Sequence, residues 1–166
     1  MFLTLYIDNI LLAENNLEMI EATKKWLSSV FEMKDMGEAR YVLGMEIIKN
    51  HPKKLLGMSQ KAYIKKVSEW FCMHYSKPID NPVEKGLTLS LDQCPKTDKE
   101  KEKMSNVPYL SAVRNSMYTM LCTRPDTCFV LGLVSRYQSN PRLADWQVVK
   151  RVERYLRGTA DVVLCY

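Results

Sequence analysis

The chain has 166 residues, 46% of them hydrophobic and 26% charged. That is enough for one ordinary domain or two small ones, and too much core material for wholesale disorder. Lys and Arg number 24 against 19 Asp and Glu, a net charge of +5, and no apolar run approaches the ~20 residues that span a bilayer. The most apolar stretch, Phe2 to Ala13, is broken by Asp8 and Asn9 and lacks a basic leader, so the expected location is cytoplasmic or nuclear, not secreted.

Five cysteines include no Cys-x-x-Cys pair, and His51 and His74 lie near no zinc-type spacing. Reduced, packed thiols are expected. Charge changes sign along the chain: residues 1–50 carry 5 basic and 8 acidic side chains, residues 51–100 carry 9 and 6, and residues 101–166 carry 10 and 5. An acidic front and basic rear suit a protein that holds a cation in one place and a polyanion in another, although an ordinary solvated surface reads the same way.

In chain order, Leu3 to Ile7 and Ile10 to Ala13 read as a hairpin turning at Asp8-Asn9, apolar enough to expect cover on both faces. Asn15 or Asn16 caps a helix, with Glu18 placed for a capping box from Asn15 and Ile20, Trp26, Leu27, Val30 and Phe31 on its buried side. From Arg40 the period changes to two, which predicts one strand through Ile48, a turn at Asn50 to Lys53 and a return strand at Leu55 to Met58. Ser59 is the expected N-cap of a helix burying Tyr63, Ile64, Val67, Trp70 and Phe71, with Lys61 and Lys65 outside.

Residues 76–106 hold scattered prolines and the run Lys99 to Lys103 without sustained periodicity, and read as a linker or surface loop. Pro108 opens a helix with Leu110, Val113, Met117 and Leu121 on one stripe. Asp126 caps a second helix to about Gln138, with Arg124 as a structural anchor to Asp126 or a neighbouring carbonyl. Asn140-Pro141 starts a third, which Gly158 terminates. Val162 to Tyr166 is strand-like, with its partner expected outside the chain. A chain that starts and stops in strands reads as a piece of something larger.

Asp8 is the residue with chemical promise. Phosphoryl transfer by polymerases needs carboxylates on a stiff hairpin, because two divalent cations ~4 Å apart clamp the attacking and leaving oxygens. A bare Asp-Asn turn serves backbone geometry equally well. Tyr6-Ile7-Asp8-Asn9, however, resembles the Tyr-x-Asp-Asp hairpin of reverse transcriptases, and the rest resembles copia-type LTR retrotransposon polymerases. Phe31 to Ala39, Leu43-Gly44-Met45-Glu46-Ile47, Ser59 to Ile64, Thr123-Arg124-Pro125-Asp126, Val134-Ser135-Arg136, Ser139-Asn140-Pro141, Trp146 and Arg154 to Thr159 carry that likeness in order.

The resemblance implies an RNA-directed DNA polymerase, part of a Pol polyprotein, using Mg²⁺, deoxynucleoside triphosphates and an RNA/DNA template-primer duplex. It puts Asp8 on the first metal-binding aspartate, Tyr6 beside the nucleotide or primer end, and Leu56 to Gln60, including Gly57, Met58 and Ser59, at a primer-grip hairpin. Asn9 stands at the second aspartate, and Arg114-Asn115 replaces the usual Gly-Ser. The family's other metal aspartate and its fingers are expected from upstream, from a further chain if not this one, because a lone Asp8 cannot organise two cations. The fold expected is α+β: a partial palm over 1–77, a linker over 78–103, and a helical thumb- or connection-like unit over 104–166.

A basic stripe of Lys150, Arg154 and Arg157, beside Gln147, joins Lys61 and Lys65 as candidate phosphate contacts, with Trp146 as a stacking or core residue. Three readings result: a reverse transcriptase fragment inactive alone, a non-catalytic basic nucleic-acid-binding module, or a transposon relic without function.

Overall fold

The computed structural model of the chain describes residues 1–89, 94, 95 and 97–166, without the side chains of 98–101. It is α+β, as expected. Its described residues form a two-stranded and a four-stranded antiparallel sheet with six α-helices. They gather into two compact units, Met1–Arg40 and Tyr41–Tyr166.

In the first unit, β1 (Phe2–Tyr6) pairs with β2 (Asn9–Ala13), in register from Phe2↔Ala13 to Tyr6↔Asn9. The turn is therefore Ile7-Asp8, one residue earlier than the sequence suggests, because Asn9 is taken up by the ladder. Ile7 sits at a φ of 51°, a left-handed conformation that a β-branched residue adopts only under strain. Among the described residues the expected cover on both faces is not found: Phe2 is 80% exposed, Leu5 and Ile7 are exposed, and Ile10 to Leu12 are half-buried.

Helix α1 (Leu17–Val30) is capped by Asn16, whose Oδ1 accepts the N–H of Glu18 at 2.9 Å and that of Met19 at 3.4 Å. This choice puts Met19 at the third helical position, so the capping box from Asn15 to Glu18 does not form. Glu14 instead accepts the Asn15 N–H at 2.8 Å and pairs with the terminal ammonium at 2.5 Å. Leu27 is buried, but Trp26, Val30 and Phe31 are exposed, against expectation. Lys24 pairs with Asp35 at 3.0 Å behind the helix.

The second unit opens with a correction. Residues 41–48 are not one strand but a hairpin of β3 (Tyr41–Val42) and β4 (Met45–Asn50), turning at Leu43-Gly44. Leu43 and Gly44 both take positive φ, 53° and 75°, the requirement of the tight hairpin turn whose twist matches its strands. Strand β5 (Leu55–Ser59) follows the expected turn and pairs with β4. The terminal strand β6 (Leu164–Cys165) finds its partner inside the chain, pairing Gly57↔Cys165 and Met58↔Leu164. Tyr166 exchanges two further backbone bonds with Leu56, at 2.8 and 3.1 Å. The sheet order is β3-β4-β5-β6.

Helix α2 (Lys61–Trp70) starts two residues after Ser59, which accepts the Lys61 N–H at 3.3 Å while Gln60 takes the cap position. It buries Ile64, Val67 and Ser68 and leaves Trp70 outside. Part of the expected linker is folded. Val83, Leu87 and Leu89 pack on the main core, and Lys99 to Lys103 falls in helix α3 (Asp98–Ser105). The rest of that linker, residues 90–93 and 96, and the side chains of Lys99 to Lys101 lie outside the described residues.

Helix α4 (Tyr109–Cys122) buries Tyr109, Ala112, Val113, Ser116 and Thr119, a face rotated from the predicted stripe. Of that stripe only Val113 is buried, while Leu110 and Leu121 are exposed. Two neighbours rather than one fix this face: α4 packs on both α5 (Cys128–Ser135) and α6 (Leu143–Gly158). A 3-10 turn at Pro125–Thr127 precedes α5, which ends three residues before Gln138. Arg142, not Asn140, caps α6, its N–H accepted by Asp145 Oδ2 at 2.8 Å. Asn140 reaches instead to the Pro95 carbonyl at 3.1 Å. The core joins Ile64 of α2 to Ala112 and Val113, to Val130, Leu131 and Val134, and to Val148, Val149, Val152 and Leu156.

Candidate functional site

Asp8 stands exposed in the β1–β2 turn, ahead of Asn9, which pairs with Tyr6 across the ladder. Tyr6 is exposed beside it. The donors here are one carboxylate and one amide carbonyl. Among the described residues no three His, Cys, Asp or Glu gather to hold a metal ion. Hard divalent cations of the Mg²⁺ kind need several oxygen ligands, so these residues alone do not fit a two-cation centre. A two-cation centre at this turn would need a second carboxylate from another segment, of this polypeptide or a different one.

The residues marked for primer contact lie elsewhere, in the second unit, and are largely covered. Gly57, Ser59 and Gln60 are buried, Met58 is half-buried and Leu56 is exposed; β6 pairs with Gly57 and Met58 along this edge of β5. A Cβ at Gly57 would come within 2.8 Å of Val163 Cγ1. The glycine thus admits the strand leading into β6. Gly57→Ala is expected to destabilise this unit by about 1–3 kcal/mol through overpacking. Adding Val163→Ala should restore most of that loss, as read from urea midpoints of the single and double variants. Gln60 accepts the Thr123 hydroxyl at 2.8 Å, joining α2 to the end of α4.

One open part of the same sheet is its Leu43-Gly44 tip, where both residues are exposed and, among the described residues, nothing lies within 4 Å of a Cβ placed on Gly44. Tyr118 of α4 donates to the Leu43 carbonyl, and its ring meets Tyr63 edge-on at 5.0 Å. Sequence reading passed over this tip because alternation continues through it. The Gly at the second turn position was the available signal.

The basic candidates are partly engaged. Lys61 pairs with Asp161 at 2.5 Å, and the hydrogen bond to that carboxylate raises the ammonium pKa. Lys65 is exposed. On α6, Arg154 donates to the Lys77 carbonyl at 2.6 Å, and Arg151 to that of Asn81 at 3.1 Å. Lys150 lies 6.0 Å over the Trp146 ring. Arg157 is half-buried, with Nη1 lacking a hydrogen-bond partner among the described residues. Arg154 of the stripe and its neighbour Arg151 therefore hold residues 77–81 against α6, and Pro78 fits over Gly158.

Arg124 anchors to both of its expected kinds of partner. It makes a bidentate pair with Asp126 (3.1 and 2.8 Å) and donates to the Thr159 carbonyl at 3.0 Å. Tyr155 places its ring 5.1 Å from the guanidinium and donates its hydroxyl to Asp126 at 2.5 Å. Burial pushes the Asp126 carboxyl pKa up, but the Arg124 and Tyr155 hydrogen bonds outweigh it and hold the value below normal.

An exposed aspartate in a tight hairpin turn beside a tyrosine is a geometry that many turns share, and by itself it assigns no chemistry. The chain belongs to the reverse transcriptase (RNA-dependent DNA polymerase) family, which matches residues 1–85. Its relatives place it in the copia-type branch. It is 43% identical over 164 residues to the Retrovirus-related Pol polyprotein from transposon TNT 1-94 of Nicotiana tabacum, covering 99% of this chain and 12% of that one. An uncharacterized mitochondrial protein of Arabidopsis thaliana is 35% identical over 159 residues, covering 96% of this chain and 62% of that one. The Pol polyprotein from transposon RE2 of Arabidopsis thaliana is 30% identical over 160 residues, covering 96% and 10%. No solved structure matches. The family generally uses divalent metals and binds template and nucleotides. No helix among the described residues is long and apolar enough to cross a membrane.

Proposed function

We propose that this chain supplies part of the palm and the thumb- or connection-like helices of a copia-type reverse transcriptase, with Asp8 as one carboxylate of its metal centre. Residues 1–77 take the palm role, 104–166 the helical role, and 78–103 connect them. The observation that carries the reading is the exposed Asp8 turn inside the family-matched region. In the assembled enzyme Tyr6 lines the nucleotide end of the site. Asn9 offers a neutral oxygen where the family has a second carboxylate, which lowers the local negative charge available to cations.

Within the second unit, the exposed Leu43-Gly44 tip is where a template-primer strand approaches the sheet, with Lys65, Lys150 and Arg157 as further phosphate contacts. Gly57 to Gln60 would reach a strand only after β6 leaves.

Primer extension on an RNA template with Mg²⁺ tests the catalytic part. The chain alone is expected to incorporate no nucleotide. Joined to the polyprotein segment that carries the remaining aspartates, it is expected to extend the primer. Asp8→Asn in that assembly should then cost on the order of a thousandfold, the several kcal/mol that a metal ligand supplies. Robust synthesis by the isolated chain, or an Asp8→Asn assembly as active as its parent, would refute the assignment.

A second reading, nucleic-acid binding without catalysis, draws on charge. The second unit carries 20 basic and 12 acidic side chains, whereas the first carries 4 and 7. Basic excess on one unit gives phosphate affinity that falls steeply with salt.

A further inference from the structure

We propose that the end of α2 and the turn after it form a stacking surface for single-stranded nucleic acid, with Trp70 and Tyr75 as base platforms and Lys65 and Lys66 as phosphate contacts. The inference rests on the nucleic-acid-binding reading and adds to it a site and a strand preference.

Several aromatics of this chain are exposed, Trp26, Tyr41 and Phe129 among them, and what sets Trp70 and Tyr75 apart is that they lie within six residues of each other and next to the lysines of α2. Trp70 closes α2 on the side away from Ile64, Val67 and Ser68, and it remains 55% exposed. Lys66, one helical turn earlier, holds its ammonium 5.0 Å from the centre of the Trp70 ring. That cation–π contact orients the ring and keeps a positive charge beside it, within reach of the phosphate of a nucleotide stacked there.

The backbone after Trp70 is firmly held. The Phe71 N–H returns to the Val67 carbonyl at 3.1 Å, and that of Met73 to the Ser68 carbonyl at 2.7 Å. Cys72 takes the left-handed φ of 55° that ends the helix, Met73 is buried, and Ser76 bonds the Met73 carbonyl through its N–H (3.0 Å) and its hydroxyl (2.6 Å). This turn presents Tyr75 at 89% exposure, its ring 4.0 Å from that of His74.

Charge selects the occupant. The open side of α2 carries Lys65 and Lys66 against Glu69, while Lys61 is paired with Asp161. Exposed Trp and Tyr also anchor protein partners, but the centres of protein interfaces are depleted in lysine. Aromatics interleaved with lysines match a strand whose bases stack while its phosphates are neutralised, and duplex DNA or RNA offers no free base faces.

The test is fluorescence anisotropy of a labelled oligothymidylate of about 12 nucleotides, within the range that such sites cover, titrated with the full chain across a salt series. Trp70→Ala is expected to weaken binding about tenfold or more, Trp70→Phe much less, and Tyr75→Ala several-fold. Lys66→Gln should reduce the salt slope by about 0.7. A duplex of the same length should bind with little change among the aromatic variants. Both aromatics are exposed, so circular dichroism should show each variant folded.

If Trp70→Ala and Tyr75→Ala bind the oligonucleotide as the parent chain does, the surface is not a nucleic-acid platform and a protein partner becomes the better occupant. If the parent chain itself binds no oligonucleotide at low salt, the nucleic-acid-binding reading falls too. The Asp8 assignment is decided separately by primer extension.

Discussion

Replacing Glu153 by Leu is expected to stabilise the second unit above pH 7 and to abolish a fall in stability between about pH 5 and pH 7. Glu153 lies in α6 between Val149 and Leu156 and is 1% exposed. Oε1 is 2.7 Å from Ser116 Oγ, and Oε2 has no partner among the described residues. Ser116 also lies 2.9 Å from the Ala112 carbonyl, and its one proton cannot serve both contacts. The arrangement closes if Ser116 donates to that carbonyl and a protonated Glu153 donates to Ser116. Burial pushes the Glu153 pKa from 4.5 up to about 7, against a smaller downward effect of Ser116. Among the described residues no cation acts on it, and Tyr63 of α2 feels its charge.

The sign follows from proton counting. Between pH 4.5 and about 7 the unfolded chain releases the proton while the folded chain keeps it, so stability declines as pH rises through that window and then levels off. The full decline is about 3 kcal/mol at 1.36 kcal/mol per pKa unit, an order-of-magnitude figure. Urea midpoints measured from pH 5 to pH 8 check it. Parallel pH profiles for the parent and Glu153→Leu would show that the carboxyl does not titrate in this range.

The second large effect concerns Arg124. At 2% exposed it ties the 3-10 turn to the C-terminal end of α6 through Asp126, Thr159 and Tyr155. Arg124→Ala leaves Asp126 with the Tyr155 hydroxyl alone and the Thr159 carbonyl with the Val162 N–H alone, opens a cavity where the buried guanidinium sat, and should cost about 3 kcal/mol. Arg124→Lys keeps the charge but loses the planar two-point grip, and about half that cost is expected. Asp126 adds a signature of its own. Because its folded pKa is depressed, its contribution is present above the unfolded value and disappears as pH falls through the lower folded one. An Arg124→Lys variant with an unchanged urea midpoint and the same acid limb would rule out the anchor.

Several of the most recognisable segments of the sequence are held together by their own residues in the structure. Gln60 of the Ser-Gln block bonds Thr123 of the Thr-Arg-Pro-Asp block, Arg124 reaches Thr159 beyond Gly158, and Gly158 makes room for Pro78. Family-identifying residues here are mainly joints of the fold. That is why Gly57, Ser59 and Gln60 read as contacts in sequence yet are buried in the structure.

By itself the sequence determined what depends on local chemistry: the Asp8 hairpin, the α1 cap among two asparagines, the Asn50 to Lys53 turn, helices near 61–70 and 143–158, and family membership. Backbone preference and side-chain period act within a few residues, and the turns, cap and helices lie within that reach, while family membership rests on ordered blocks along the whole chain. The tertiary structure alone decided which face of α4 is buried, that β6 returns to β5, that the basic side of α6 holds residues 77–81, and that Trp70 stays outside. Each of those depends on partners tens of residues away, and no local periodicity encodes which neighbour will arrive.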